Sequence, residues 1–172
     1  LAEITFLTST EEVDPTTEEL ITTAVNFSSS DTATGYEFLG ESTQLTARGF
    51  NFDVDGNGEI TAFSDGLMIL RKMFGTAFEG DALTDGAIDS GATRTTDEIH
   101  EYIQWGMDSM ALDVDKDGEV KAFGDGLMSI RHLFGTAFDG AALTDGALSP
   151  DSPYWDEQEP WIPVGNNIDA LM

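Results

Sequence analysis

The chain contains no cysteine. Disulfides, thiolate metal sites and a cysteine nucleophile are therefore excluded. Basic residues are scarce too: 7 Lys and Arg stand against 33 Asp and Glu, giving a formal charge of −26 over 172 residues. A nucleic-acid reader needs a basic footprint, and an anionic membrane surface would repel such a chain. Part of the acid is expected at metal sites, and the rest as a solvated face or an adaptation to salty surroundings. No apolar run approaches the 18 residues of a membrane-spanning helix. Gly-x-Ser-x-Gly, the P-loop, the dinucleotide fingerprint and the zinc-protease helix are missing as well. Carboxylate pairs of the kind that hydrolyse glycosides occur in any chain this acidic. The clustered ones here have another explanation, so the expected role is non-enzymatic. Leu1 opens the chain without Met or leader, and is read as the start of a processed product whose signal lay upstream.

Two loops carry the strongest signal. The first reads Asp53-Val54-Asp55-Gly56-Asn57-Gly58-Glu59-Ile60 and the second Asp113-Val114-Asp115-Lys116-Asp117-Gly118-Glu119-Val120. Oxygen side chains fall at loop positions 1, 3 and 5, and glycine at 6. That spacing suits a hard cation with six to eight oxygen ligands, the glycine permitting the sharp turn. Two Ca2+ sites are expected; magnesium seldom uses an all-protein cage. The side-chain ligands are Asp53, Asp55 and Asn57 in loop one, and Asp113, Asp115 and Asp117 in loop two. Glu59 and Glu119 contribute backbone carbonyls at position 7. Ile60 and Val120, at position 8, anchor each loop to the core.

The closing ligand departs from the usual pattern. Position 12, where a bidentate Glu is common, is Ser64 or Gly124. Asp65 and Asp125 follow at position 13. Each loop is expected to be one residue longer and closed by these aspartates, the alternative being that they only cap helices. Loop two has one more carboxylate and an incoming helix, so it is expected to bind more tightly. Asp85 and Asp145 read as turn residues, and Arg71 and Arg131 as partners of a carboxylate or a carbonyl.

Residues 53–89 and 113–149 align without a gap and match at about two-thirds of positions. They share Asp-Gly-Leu-Met, Phe-Gly-Thr-Ala-Phe and Ala-Leu-Thr-Asp-Gly-Ala, so one supersecondary unit is used twice. Over about residues 50–149 the chain resembles the dockerin-like EF-hand modules found near the C-termini of large secreted and surface-attached bacterial proteins. The resemblance implies paired calcium loops, an extracellular or cell-surface setting, and recognition of a cohesin-like partner through exposed helix residues. Lys72/Met73 and His132/Leu133 are the positions where such contacts could sit.

Period-two alternation at Ile4/Phe6, Thr22 to Phe27, Tyr36/Phe38 and Thr43/Leu45 predicts strands. Residues 1–48 resemble the end of a cohesin-like or immunoglobulin-like β-sandwich, on Thr-Ala-Val-Asn-Phe-Ser-Ser-Ser (23–30) and Gly-Tyr-Glu-Phe (35–38). Four short strands cannot close a sandwich, so strand addition from outside, including from copies of the same chain, is expected. Leu67, Leu70 and Phe74, and their copies Leu127, Ile130 and Phe134, predict the buried faces of two short helices. Thr95-Thr96-Asp97-Glu98 predicts a capped helix carrying Ile99, Ile103, Met107 and Met110. Residues 150–163 hold four of the five prolines, with Tyr154, Trp155 and Trp161, and predict an extended tail packed on the body.

The expected fold class is thus α+β: a β-strand segment over 1–48, part of a sandwich, then an α-helical tandem EF-hand or dockerin-like calcium module over 49–149 and a Pro/aromatic C-terminal tail over 150–172. The expected function is a non-catalytic calcium-binding structural or interaction module of an extracellular surface, matrix or filament protein. The alternatives are an adaptor that docks a cohesin-like partner, and an accessory domain of a secreted carbohydrate-active enzyme.

Overall fold

The computed structural model describes residues 49–172 and, before them, only the backbone of residues 22–24 and 44–46. The chain divides into two compact units, Leu1–Gly49 and Phe50–Met172. In the first, β1 (Thr22–Ala24) runs antiparallel to β2 (Gln44–Thr46), with Thr22 opposite Thr46 and Ala24 opposite Gln44. The strands expected around Ile4/Phe6 and Tyr36/Phe38, and any strand added from outside, fall beyond the described residues.

The α+β class is overturned. Residues 49–172 are helical and contain no strand. Their apolar residues recur at spacings of three and four, and each helical turn satisfies its own backbone groups, so nothing in this unit calls for a sheet. A pair of three-residue strands is too short to form the layer of a sandwich.

The second unit is two copies of one plan. A loop enters a π-helical turn (Ala62–Gly66 or Ala122–Gly126), which continues as a short helix, α1 (Leu67–Met73) or α3 (Leu127–Leu133). Gly75 and Gly135, both at φ 64°, stop these helices in the left-handed region. A 3-10 turn follows, Gly75–Phe78 or Gly135–Phe138. The first copy ends in α2 (Thr96–Asp108). Its capping box is complete: Thr95 Oγ1 accepts from Glu98 N at 3.3 Å, and the Glu98 carboxylate accepts from Thr95 N at 2.8 Å. The second copy continues through α4 (Ala141–Thr144) to α5 (Trp161–Asp169).

Residues 150–172 lie within this unit. In place of the extended run their prolines suggested, they form turns and α5. Pro163 falls in the first turn of α5, where a missing N–H leaves no hydrogen bond unmade. Val164 and Ile168 are fully buried, and Phe52 N donates to Leu171 O at 2.8 Å. The helix packs on α3 and α4 as α2 packs on α1. The copying therefore continues in space past residue 149, where sequence similarity stops.

The two copies meet at α1 and α3 through a reciprocal contact. A Cβ on Gly66 would lie 2.9 Å from Leu133 Cδ1, and one on Gly126 would lie 2.7 Å from Met73 Sδ and 2.9 Å from Leu70 Cδ1. Phe63 meets Phe134 edge-on at 5.0 Å between centroids, and Phe123 meets Phe74 at 5.1 Å. Each contact recurs with the copies exchanged, so an internal two-fold axis relates the repeats. One core lies between them, built from Phe52, Val54, Met68, Ile69, Ile103, Leu112, Val114, Met128 and Ile168 among others. The inward faces of the short helices are Met68/Ile69 and Met128/Ser129. Leu67 packs half-buried against this core as expected, but Leu70 and Phe74 do not, because one side of α1 is given to the other repeat.

Candidate metal centre

Each loop winds around its own side-chain oxygens, in the same way in both copies. Gly58 N donates to Asp53 Oδ2 and Gly118 N to Asp113 Oδ2, both at 3.1 Å. Asn57 N donates to Asp55 Oδ1 at 3.1 Å, and Asp117 N to Asp115 Oδ1 at 3.2 Å. Glu59 N reaches Asn57 Oδ1 at 2.7 Å, and Glu119 N reaches Asp117 Oδ1 at 2.8 Å. The path needs left-handed backbone at position 6, where Gly58 has φ 86° and Gly118 φ 87°.

The extra residue in each loop has a structural cause. Gly66 N donates to Thr61 O and Gly126 N to Lys121 O, five residues back and both at 3.1 Å. A π-turn holds one residue more than an α-turn, and this moves the closing aspartate from position 12 to 13. Asp65 Oδ1 accepts from Val54 N at 3.0 Å and Oδ2 from Thr61 N at 2.9 Å. Asp125 does the same with Val114 N and Lys121 N, both at 2.8 Å. These carboxylates tie the beginning of each loop to its end, which a simple helix cap would not do.

The structure draws Asp53, Asp55 and Asp65 into one group and Asp113, Asp115 and Asp117 into another. Each residue of a group offers a carboxylate oxygen within 4.8 Å of the others. Oxygens bound to one calcium at about 2.3–2.6 Å stand within roughly 5 Å of each other. Asn57 lies beside the first group, its Nδ2 donating to Asp55 Oδ2 at 3.4 Å. Asp125 lies near enough to Asp115 to feel its charge. The side chains of Glu59 and Glu119 are exposed. Asp85 and Asp145 are exposed turn residues whose carbonyls accept from Arg71 and Arg131, each at 2.8 Å. The carbonyl role for those arginines is the one observed.

Two atoms stand out. Asp53 Oδ1 and Asp113 Oδ1 are buried and have no hydrogen-bond partner. Both belong to loop position 1, and the Asp113 side chain is almost wholly enclosed. A buried carboxylate oxygen left unpaired is costly. The same unpaired oxygen recurs in both copies, and a bound cation would complete it. The surrounding charge supports this. Burial pushes Asp65 up to about 6 against the pull of the Thr61 amide, and the Asp55 charge adds to the rise. Burial does the same to Asp125, also up to about 6, with Asp115 beside it. Asp115 is raised by burial too. A divalent cation would relieve both the desolvation and the repulsion.

Several residues of the site were not singled out from the sequence. Lys121, at loop position 9, holds Asp117 Oδ2 at 2.9 Å and also pairs with Glu119. Its spacing of four from Asp117 was the available signal. The outer backbone of each loop is held by the segment that follows its repeat. Arg94 Nη1 donates to Asp53 O at 2.6 Å, Asn167 Nδ2 to Val114 O at 2.9 Å, and Ser152 Oγ to Asp115 O. These lie where the copies no longer align, so no repeat pattern marks them.

The helix positions expected to meet a partner are largely engaged within the unit. Lys72 Nζ lies 3.4 Å from His100 Nδ1, and His132 Nε2 lies 2.7 Å from Asp169 Oδ1. Among the described residues the most exposed large apolar groups are Phe63 and Phe123, each 74% exposed. Among the described residues no helix is long and apolar enough to cross a membrane. No family model matches the chain, and no curated protein or solved structure matches it.

Proposed function

We propose that residues 49–172 are a non-catalytic calcium-binding module in which two ions staple the fold. The observation that carries this reading is the repeated one: an unpaired buried oxygen at position 1 of each loop, facing a cluster of carboxylates. Asp53, Asp55, Asn57 and Asp65 would hold the first ion, with the Glu59 carbonyl. Asp113, Asp115, Asp117 and Asp125 would hold the second, with the Glu119 carbonyl. Calcium suits these all-oxygen sets, and its tolerance of irregular geometry suits a loop closed through a π-turn. Calcium modules of modest affinity work where free calcium is millimolar, so an extracellular or surface protein is the setting we infer. Equilibrium dialysis against calcium tests the reading. Two ions per chain are expected, and no uptake at millimolar calcium overturns it.

Within that reading the module serves as a structural or interaction element. A second reading, an adaptor that docks a cohesin-like partner, is favoured by Phe63 and Phe123. They lie on opposite sides of the internal two-fold axis and are exposed although they are among the largest apolar groups of the unit. Replacing both with Ser and measuring binding to a cohesin-like domain tests the adaptor reading. Unchanged binding removes the aromatic pair from it.

A further inference from the structure

The two loops differ at position 9, and the difference lies against the metal cluster. Thr61 uses its hydroxyl to accept from Ser64 N at 3.2 Å, within its own turn. Lys121 instead places its ammonium 2.9 Å from Asp117 Oδ2, with Glu119 as its other partner. The Asp117 side chain is 2% exposed, so Lys121 is what covers it on that side. Both Asp117 oxygens are then committed, Oδ1 to Glu119 N and Oδ2 to Lys121.

Position 12 differs in the same neighbourhood. Ser64 Oγ donates to Asp55 Oδ2 at 3.2 Å and helps to close the first site. Gly124 stands at the matching place in the second. There an open cleft of about 560 Å³ is lined by Asp115, Asp117, Lys121, Phe123, Gly124 and Ser149. The Lys121 side chain lines this cleft and is 47% exposed.

We propose that Lys121 is a built-in counter-cation of the second site, competing with the divalent ion, so that the first site loads at lower calcium than the second. The proposal rests on the calcium reading above and adds an order to it. A unit positive charge beside the cluster repels an incoming divalent ion, and its hydrogen bond to Asp117 must be given up or shared. Loop two has one more carboxylate than loop one, and from that count alone it would bind more tightly. Lys121 cancels that carboxylate and reverses the order. In return the second loop keeps its charge partly balanced when calcium is low. In the first loop the position-9 side chain is a neutral hydroxyl, and the Arg94 guanidinium reaches the backbone carbonyl of Asp53 at 2.6 Å and not a ligand carboxylate.

The test is a calcium titration of the full chain followed by NMR at the Gly58 and Gly118 amides, each of which donates to the position-1 aspartate of its own loop. In the unsubstituted protein the Gly58 signal is expected to move first. Lys121→Thr, the residue of loop one, should tighten the second site about tenfold and leave the first unchanged. Thr61→Lys should weaken the first by a similar factor. Lys121→Gln keeps much of the side chain's length and removes only the charge, so it gives the same tightening if Lys121→Thr does not fold. Gly118 moving at the same calcium concentration in the unsubstituted protein and in Lys121→Gln overturns the proposal while the calcium reading stands. No calcium response at either glycine overturns both.

Discussion

In the first repeat residue 61 is a threonine that serves its own turn, and residue 64 is a serine that donates to Asp55. In the second, residue 121 is a lysine bound to Asp117, and residue 124 is a glycine that leaves a cleft. Around these differences the loops agree within a few tenths of an ångström in the hydrogen bonds to their position-1 and position-13 aspartates. What agrees is what an ion would require: the oxygen at position 1, the left-handed glycine at 6 and the latch at 13. What differs is what, on the proposed reading, would set how tightly and in what order each site fills. The same division appears in the scaffold. Arg71 and Arg131 clamp the same two carbonyls of their repeats, Leu83 and Asp85 or Leu143 and Asp145. Ser129, by contrast, places a buried, unpartnered hydroxyl where Ile69 packs in the other copy.

This comparison can be broken most severely at position 3. Asp55→Ala and Asp115→Ala should each abolish ion binding at their own site and cost about 3 kcal/mol or more in calcium. The first should be the more damaging, because Asp55 Oδ2 accepts from Ser64 Oγ at 3.2 Å as well as from Asp89 N at 3.4 Å, and because it belongs to the site proposed to load first. Calorimetry and thermal melting of the pair read both effects. Gly66→Ala and Gly126→Ala test the internal two-fold axis. Each forces a methyl into the other repeat's helix, at an expected cost of about 1–3 kcal/mol. Similar losses in denaturant melts support the reciprocal crossing, and a loss in only one contradicts it. Arg71→Met and Arg131→Met should each lose about 2 kcal/mol, since a charged donor to two carbonyls disappears. The smallest expected effect is at the point where the copies differ inside the core. Ser129→Ala should leave stability unchanged or raise it by up to about 1 kcal/mol, because it removes an unpaired buried hydroxyl.

The loops were legible because Asp, Asn and Gly stand at fixed spacings in both copies, as metal ligation would require. Asp53, Asp55, Asp113 and Asp115 could be placed from the spacing alone, and Asp65 and Asp125 from the lack of an acid at position 12. The π-turn that moves the closing residue could not be read, since no residue type marks an i→i−5 hydrogen bond. The helix at 161–169 was hidden by its prolines: composition suggested an extended chain, but Pro163 sits in a first turn where its ring is tolerated. The face of α1 was misjudged for a different reason. A helix wedged between a core and a second repeat buries two sides, and a single apolar stripe describes only one. The α+β expectation rested on period-two alternation in short stretches, which sets a side-chain pattern without supplying the partners a sheet needs.

Thermal melting of the full chain, in millimolar calcium and again in excess chelator, tests the central claim most directly. At 100-fold saturation each site adds about 2.7 kcal/mol, and for a unit of this size two sites should lower the Tm on the order of 15 °C when calcium is withdrawn. Superimposable melts in calcium and in chelator would contradict the account, because the unpaired aspartate oxygens of both loops would then be tolerated without an ion.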